Sequence, residues 1–210
     1  MARNKHPEIT VERILEVSQR LFTEKGYDST RIQDIVNELG GLTKGAIYHH
    51  YKSKEEIMKA LGIRLLFNKD FFETVKGCND LSALKKIQEI LVFYQANAER
   101  ISTSSKEASV LTETSFIPVA VEMNRELLTP LWLEIIEEGI NDGSIKTEYA
   151  KELSEILPLL NFWLLPSVYP DTAEELRHKF YFVMEMLTKM GLPVLNKDMK
   201  PLMEKHLKDM

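Results

Sequence analysis

The sequence has almost no cysteine: Cys78 stands alone in 210 residues. A lone thiol excludes an intramolecular disulfide and any cysteine-based zinc or iron–sulfur cluster, and it fits a reducing compartment. No apolar run approaches the roughly 18 residues of a membrane span. The opening stretch, Met1 to Glu12, is polar and lacks the apolar core of a signal peptide. These absences lead us to expect a soluble cytoplasmic protein with no membrane partner. Enzyme signatures are also missing: there is no G-x-S-x-G, no H-E-x-x-H, no P-loop and no glycine-rich fingerprint after a strand. Neither enzymatic activity nor a cofactor is expected.

What is present is a chain able to bury a core, 44% hydrophobic and 28% charged. The net charge of −5 argues against generic nucleic-acid binding. The charge is uneven, however. Residues 1–54 carry 9 Lys and Arg against 7 Asp and Glu, and the remainder carries 18 against 25. A mildly basic head on an acidic body is compatible with phosphate binding at one end.

Period-3.6 patterns dominate, so the expected fold class is all-α. Thr10 is placed to cap a first helix, whose face carries Ile14, Leu15, Leu21 and Phe22 and which Gly26 stops. Thr30-x-x-Gln33 reads as a capping box opening a second helix, with Ile32, Ile35, Val36 and Leu39 inward and Gly40-Gly41 at its end. Thr43 caps a very short third helix, Lys44 to about Tyr51. Ser53-x-x-Glu56 opens a fourth, expected to run unbroken to Gly77. Asp80 is placed to cap a fifth. Residues 102–116 read as a short helix and a loop. A helix over about 119–141 is expected to kink at Pro130. Two strong helices follow at about 148–165 and 171–190, with a tail helix near 196–208.

Two short helices joined by a glycine-containing turn, behind a supporting helix, describe a helix-turn-helix, whose second short helix enters the major groove of DNA. Residues 44–51 suit that use. Lys44 can meet a phosphate or a guanine edge, and Gly45 and Ala46 let the backbone come close. Ile47 points to the core, while Tyr48, His49 and Tyr51 present polar-tipped rings. His50 can donate to a phosphate, and Lys54 sits at a helix N-terminus. Adjacent helical positions point about 100° apart, and no third ligand lies near His49-His50, so no metal is expected there.

The string Ile14-Leu15, Leu21-Phe22, Gly26-Tyr27, Thr30, Ile35 and Thr43-Lys44-Gly45-Ala46-Ile47-Tyr48-His49-His50-Tyr51-Lys52-Ser53-Lys54-Glu55 resembles the N-terminal domain of the TetR family of bacterial transcriptional regulators. The resemblance covers about residues 9–61. It implies an N-terminal three-helix DNA-binding domain, residues 1–54, and a larger helical ligand-binding and dimerisation domain, residues 55–210. It assigns Lys44, Gly45, Ala46 and His49 to base or near-base contacts and Thr30, Tyr48, His50 and Lys54 to phosphates, with Thr43 at the start of the same helix. One departure is an additional residue in the turn, giving Gly40-Gly41-Leu42.

The implied partners are a double-stranded DNA operator, a small-molecule effector and a second copy of the chain. For the effector, Phe67, Phe71, Tyr94, Phe116, Met123, Trp132, Phe162 and Trp163 are candidate lining residues; plain core packing is the competing reading. Few basic side chains look buried, which points to an apolar, neutral or cationic ligand. For the dimer, the resemblance points to the last two long helices. Leu153, Ile156, Leu157, Leu160 and Leu164 form one stripe, and Leu176, Phe180, Val183, Met184 and Leu187 another. The expected function is a ligand-responsive regulator, a repressor released from a palindromic operator by its effector. The alternative is a helical dimeric protein-interaction module without ligand gating.

Overall fold

A computed structural model describes residues 7–103, 116–164, 169 and 172–194. Among the described residues every regular element is helical. The chain divides into two compact units. One contains the described residues of Met1–Phe67 and Arg100–Ala120, the other those of Asn68–Glu99 and Val121–Met210.

In the first unit α1 spans Pro7–Lys25. It begins earlier than Thr10, which is buried within it; a proline is favoured at a first helical position, where no N–H is needed. Gly26 stops it in the left-handed region, φ 81, donating its N–H to Phe22 O at 3.0 Å. Then come α2 (Ile32–Leu39), α3 (Lys44–His50) and α4 (Lys54–Leu66). The expected capping box at Thr30 does not form. Its hydroxyl turns back to Gly26 O and Leu21 O, and Arg31 takes the cap position, its N–H donating to Asp34 Oδ2 at 2.8 Å. Thr43 and Ser53 do cap their helices, accepting from Ala46 N and Glu56 N. Ile14, Leu21, Phe22, Ile35, Leu39, Ile47, Ile57, Met58 and Leu61 close one buried core. The apolar spacing read from the sequence fills it.

The long fourth helix is two helices. Phe67 and Asn68 are extended, and α5 runs Lys69–Lys76. Asn68 Oδ1 accepts the Phe71 N–H at 2.9 Å, a local bond that competes with helix continuation.

Next along the chain, α6 (Ala83–Thr103), which starts in the second unit, is not capped by Asp80. Ser82 Oγ accepts Lys85 N, and two distant residues finish the end: Asp142 Oδ2 takes Ala83 N at 2.8 Å and Ser144 Oγ takes Leu84 N at 3.2 Å. The helix expected to kink at Pro130 is instead α7 (Phe116–Met123), a π-helical turn (Asn124–Leu128) and α8 (Thr129–Asp142). The Thr129 N–H reaches back five residues to Asn124 O, and Pro130, which has no N–H to give, falls in the first turn of α8. Then α9 spans Ala150–Trp163, and α10 spans Ala173–Lys189 behind a Thr172–Glu175 capping box. The tail segment near 196–208 lies outside the described residues. Trp132, Ile135, Ile136, Leu153, Leu157, Val183 and Leu187 are buried. No helix among the described residues is long and apolar enough to cross a membrane.

Candidate nucleic-acid interface

The short helices α2 and α3 are too brief to be stable alone and need a frame. That frame is α1 and α4. Arg13 Nη2 donates to Leu39 O at 3.0 Å, capping the end of α2, and Arg20 pairs with Glu38 at 2.6 Å. The hydrogen bond from Arg20 holds the Glu38 carboxyl below the usual carboxylate range. Arg64 of α4 returns to α1, bonding Glu12 at 2.6 Å and Gln19. Of these struts the sequence marks only Arg64, as a basic side chain with a buried look. The only trace of Arg13 and Arg20 was their seven-residue spacing, which places both on one helix face.

On this frame α3 is pinned by one buried side chain, Ile47, at 0% exposure. Its other candidates face outward. Thr43, Lys44, Gly45 and His49 are exposed, Ala46 and His50 are partly so, and Tyr48 is 42% exposed. Lys44 Nζ lies 5.8 Å from the Tyr48 ring centroid, and the His49 and His50 rings meet edge to face at 5.3 Å. The helix carries no acidic side chain. It is therefore a small, basic, donor-rich surface on a chain of net charge −5. Gly40 and Gly41 before it both have positive φ, 50° and 91°. The additional residue of the turn is thus accommodated by two left-handed positions that side chains avoid.

Two phosphate candidates lie elsewhere than expected. Thr30 is 1% exposed, with its hydroxyl spent on backbone carbonyls. The Lys54 ammonium lies 2.6 Å from Tyr27 O and 3.0 Å from Thr30 O. Thus Thr43, Lys44, Gly45, Ala46, Tyr48, His49 and His50 share one helix and its cap, while Thr30 and Lys54 meet each other at the turn between α1 and α2. Beside them, burial pushes the Tyr27 phenol well above its usual range, with the Glu55 carboxylate adding to the effect.

The model of bacterial regulatory proteins of the tetR family matches residues 14–61, the segment that forms this frame and its reading surface. Residues 14–61 form a TetR-type DNA-binding head. The chain is a DNA-binding transcription regulator. The transcriptional repressor KstR2 of Rhodococcus jostii is 26% identical over 148 residues, 67% of this chain and 70% of the relative. Among solved structures, SmeT in complex with triclosan is 15% identical, covering 96% of this chain and 91% of its own, with a TM-score of 0.55. NalD, a secondary repressor of a multidrug efflux pump in Pseudomonas aeruginosa, is 21% identical over 91% of this chain and 99% of its own, also at 0.55. At such identities the structures establish a shared fold.

In this chain the effector candidates form separate groups. Phe67 and Phe116, both buried, fall in the first unit. In the second, Phe71 stacks on Phe93 with centroids 3.8 Å apart, Trp132 meets Phe72 edge to face at 6.3 Å, and Met123 is buried. Trp163 meets Phe182 at 5.9 Å and lines an open groove of about 510 Å³ with Glu175, His178, Lys179 and Phe182. The Tyr94 and Phe162 side chains lie outside the described residues. Of the two stripes read as a dimer seam, Leu153, Leu157, Leu176, Val183, Met184 and Leu187 are buried in the chain's own core. Among the described side chains of α9 and α10 the exposed apolar ones are Ile156, which belongs to the first stripe, and Leu159, Tyr181 and Phe182, which belong to neither.

Proposed function

We propose that the chain is a dimeric repressor that grips a palindromic operator through two copies of α3 and lets go when a small, largely apolar effector enters its helical body. The observation that carries this reading is the outward surface of α3: Lys44, Tyr48 and His49 exposed around a single buried anchor, Ile47. Lys44, Gly45, Ala46 and His49 approach base edges, and Tyr48 and His50 meet phosphates. One such helix spans only a few base pairs. Two related by a two-fold axis read half-sites about 34 Å or more apart. The exposed Ile156, Leu159, Tyr181 and Phe182 are the apolar surface available for the pairing.

An effector acts by preferring one conformation of the body, and a coupling of about 1–3 kcal/mol changes operator occupancy roughly 5–150-fold. SmeT, whose fold this chain shares, has been solved in complex with triclosan, which supports a small-molecule effector here. The test is a gel shift with a duplex selected from a random pool, repeated over a salt series and with Tyr48→Ala. Binding that falls steeply with salt and is lost in the variant is expected. Salt-insensitive binding, or no shift from the wild-type chain, would overturn the reading.

A further inference from the structure

The Lys54 ammonium is engaged inside the head. Three backbone carbonyls surround it, those of Tyr27 at 2.6 Å, Thr30 at 3.0 Å and Asp28 at 3.4 Å. The Tyr27 ring lies beneath it, with the centroid 4.1 Å away. An ammonium has three N–H donors and no acceptor, so these contacts use its whole capacity. The seat is rigid. Tyr27 is 6% exposed and packs edge-on to Phe22 at 5.1 Å. The Thr30 hydroxyl is already committed to Leu21 and Gly26.

We propose that Lys54 is a positioning residue: it clasps the first turn of α4 to the α1–α2 turn, and does not itself hold a DNA phosphate. A phosphate contact requires the ammonium to leave three carbonyls and an aromatic face together. The clasped turn ends at Arg31, the cap of α2, so it sets where α2 begins and hence how α3 is presented. The inference rests on the duplex-binding reading only for its consequence at DNA; the clasp itself stands on the contacts above.

The experiment compares Lys54→Met, Lys54→Arg and Tyr27→Leu with Lys44→Met in the full chain. The probe is a labelled duplex selected by the wild-type chain from a random pool, titrated at several salt concentrations. Losing a phosphate contact lowers the log–log salt slope by about 0.9. Lys44→Met, with its exposed ammonium removed, is expected to show a drop of that size. Lys54→Met is expected to bind more weakly at every salt concentration with the slope unchanged, and Tyr27→Leu to do the same. Lys54→Arg is the discriminating variant. Its planar fork suits a phosphate well but does not match three converging carbonyls, so it is expected to be defective.

Thermal unfolding of the single and double variants at 27 and 54 is expected to show coupling, the double variant losing less than the two singles together. A shallower slope for Lys54→Met with an unchanged melting temperature, or wild-type binding by Lys54→Arg, would overturn the proposal. If the wild-type chain selects no duplex, the DNA reading fails while the unfolding cycle still decides the clasp: coupling sustains it, and additivity overturns it.

Discussion

A β-carbon built on Gly45 would meet nothing nearer than Thr43 Oγ1, 3.8 Å away. The protein has room for a side chain at this position. Yet a glycine inside a helix costs roughly 0.5–1 kcal/mol relative to alanine. Nothing on the protein side of α3 demands it, and under the proposed duplex contact the demand comes from the DNA side. Gly45→Ala is expected to raise the stability of the chain by up to about 1 kcal/mol and to weaken duplex binding. Thermal unfolding and fluorescence anisotropy on the same preparation check the two opposite signs. A destabilised variant that binds normally would contradict the assignment.

The second unit holds a buried lysine. The Lys86 side chain is 3% exposed and its ammonium bonds Glu138 Oε1 and Lys76 O, both at 2.7 Å. Nearby, Lys76 pairs with Glu134 at 2.6 Å on a more open surface, where Glu134 is 57% exposed. Geometry alone would rank the pairs equal; burial separates them. Glu138→Gln leaves a desolvated ammonium without its counter-charge and is expected to cost about 1–3 kcal/mol. Glu134→Gln is expected to cost no more than about 1 kcal/mol. Urea unfolding of both variants measures the difference, and equal losses would refute the ranking.

Asp142 links α8 to α6 by accepting from Ala83 N and from Ser144 N, each at 2.8 Å. Hydrogen bonds from Ser144, and then from Ala83, hold its carboxyl below the usual aspartate value. Its contribution to stability is therefore complete above the ordinary aspartate pKa, about 3.9. It declines as pH falls further and is gone below the depressed folded-state value. Asp142→Asn is expected to flatten the acid limb of a stability–pH profile and to leave the neutral plateau lower. An acid limb unchanged in Asp142→Asn would count against this linkage.

Gly191 follows α10 with φ +84, and an added β-carbon would sit 1.7 Å from Lys146 O. Its own carbonyl accepts the Lys146 N–H at 3.1 Å, so the two strands of backbone cannot separate cheaply. Gly191→Ala combines a left-handed backbone, about 1–3 kcal/mol for a non-glycine, with a direct backbone clash. Its expected loss exceeds that range, read by urea unfolding against Gly143→Ala. That site has similar φ but open space around it.

Much of this was written locally in the chain. Thr43 and Ser53 cap α3 and α4 because their hydroxyls act on residues only three positions ahead. The face of Ile14, Leu21, Phe22, Ile35 and Ile47 is buried as its spacing demanded. Other features depend on partners far along the sequence. The start of α6 is finished by Asp142 and Ser144, some sixty residues on, and no window of sequence contains both. The break at Phe67–Asn68 was hidden because Leu65, Phe72 and Val75 keep a helical rhythm across it. At the interface, the exposure of Lys44, Tyr48 and His49 was legible from one buried neighbour. The inward turn of Lys54 was not, since a lysine beside a helix start reads by default as solvated.

The π-helical turn at Asn124–Leu128 holds one surplus residue relative to an ordinary helix. Excising a single residue there would fuse the flanking segments into a continuous rod. Winding the same residues, with none removed, as an ordinary helix would instead carry the segment after the turn about 100° further around the axis. Met123 and Trp132, both now packed inward, would no longer share a direction. That one peptide unit acts as a gear tooth, setting the rotational phase between two stretches of apolar side chains.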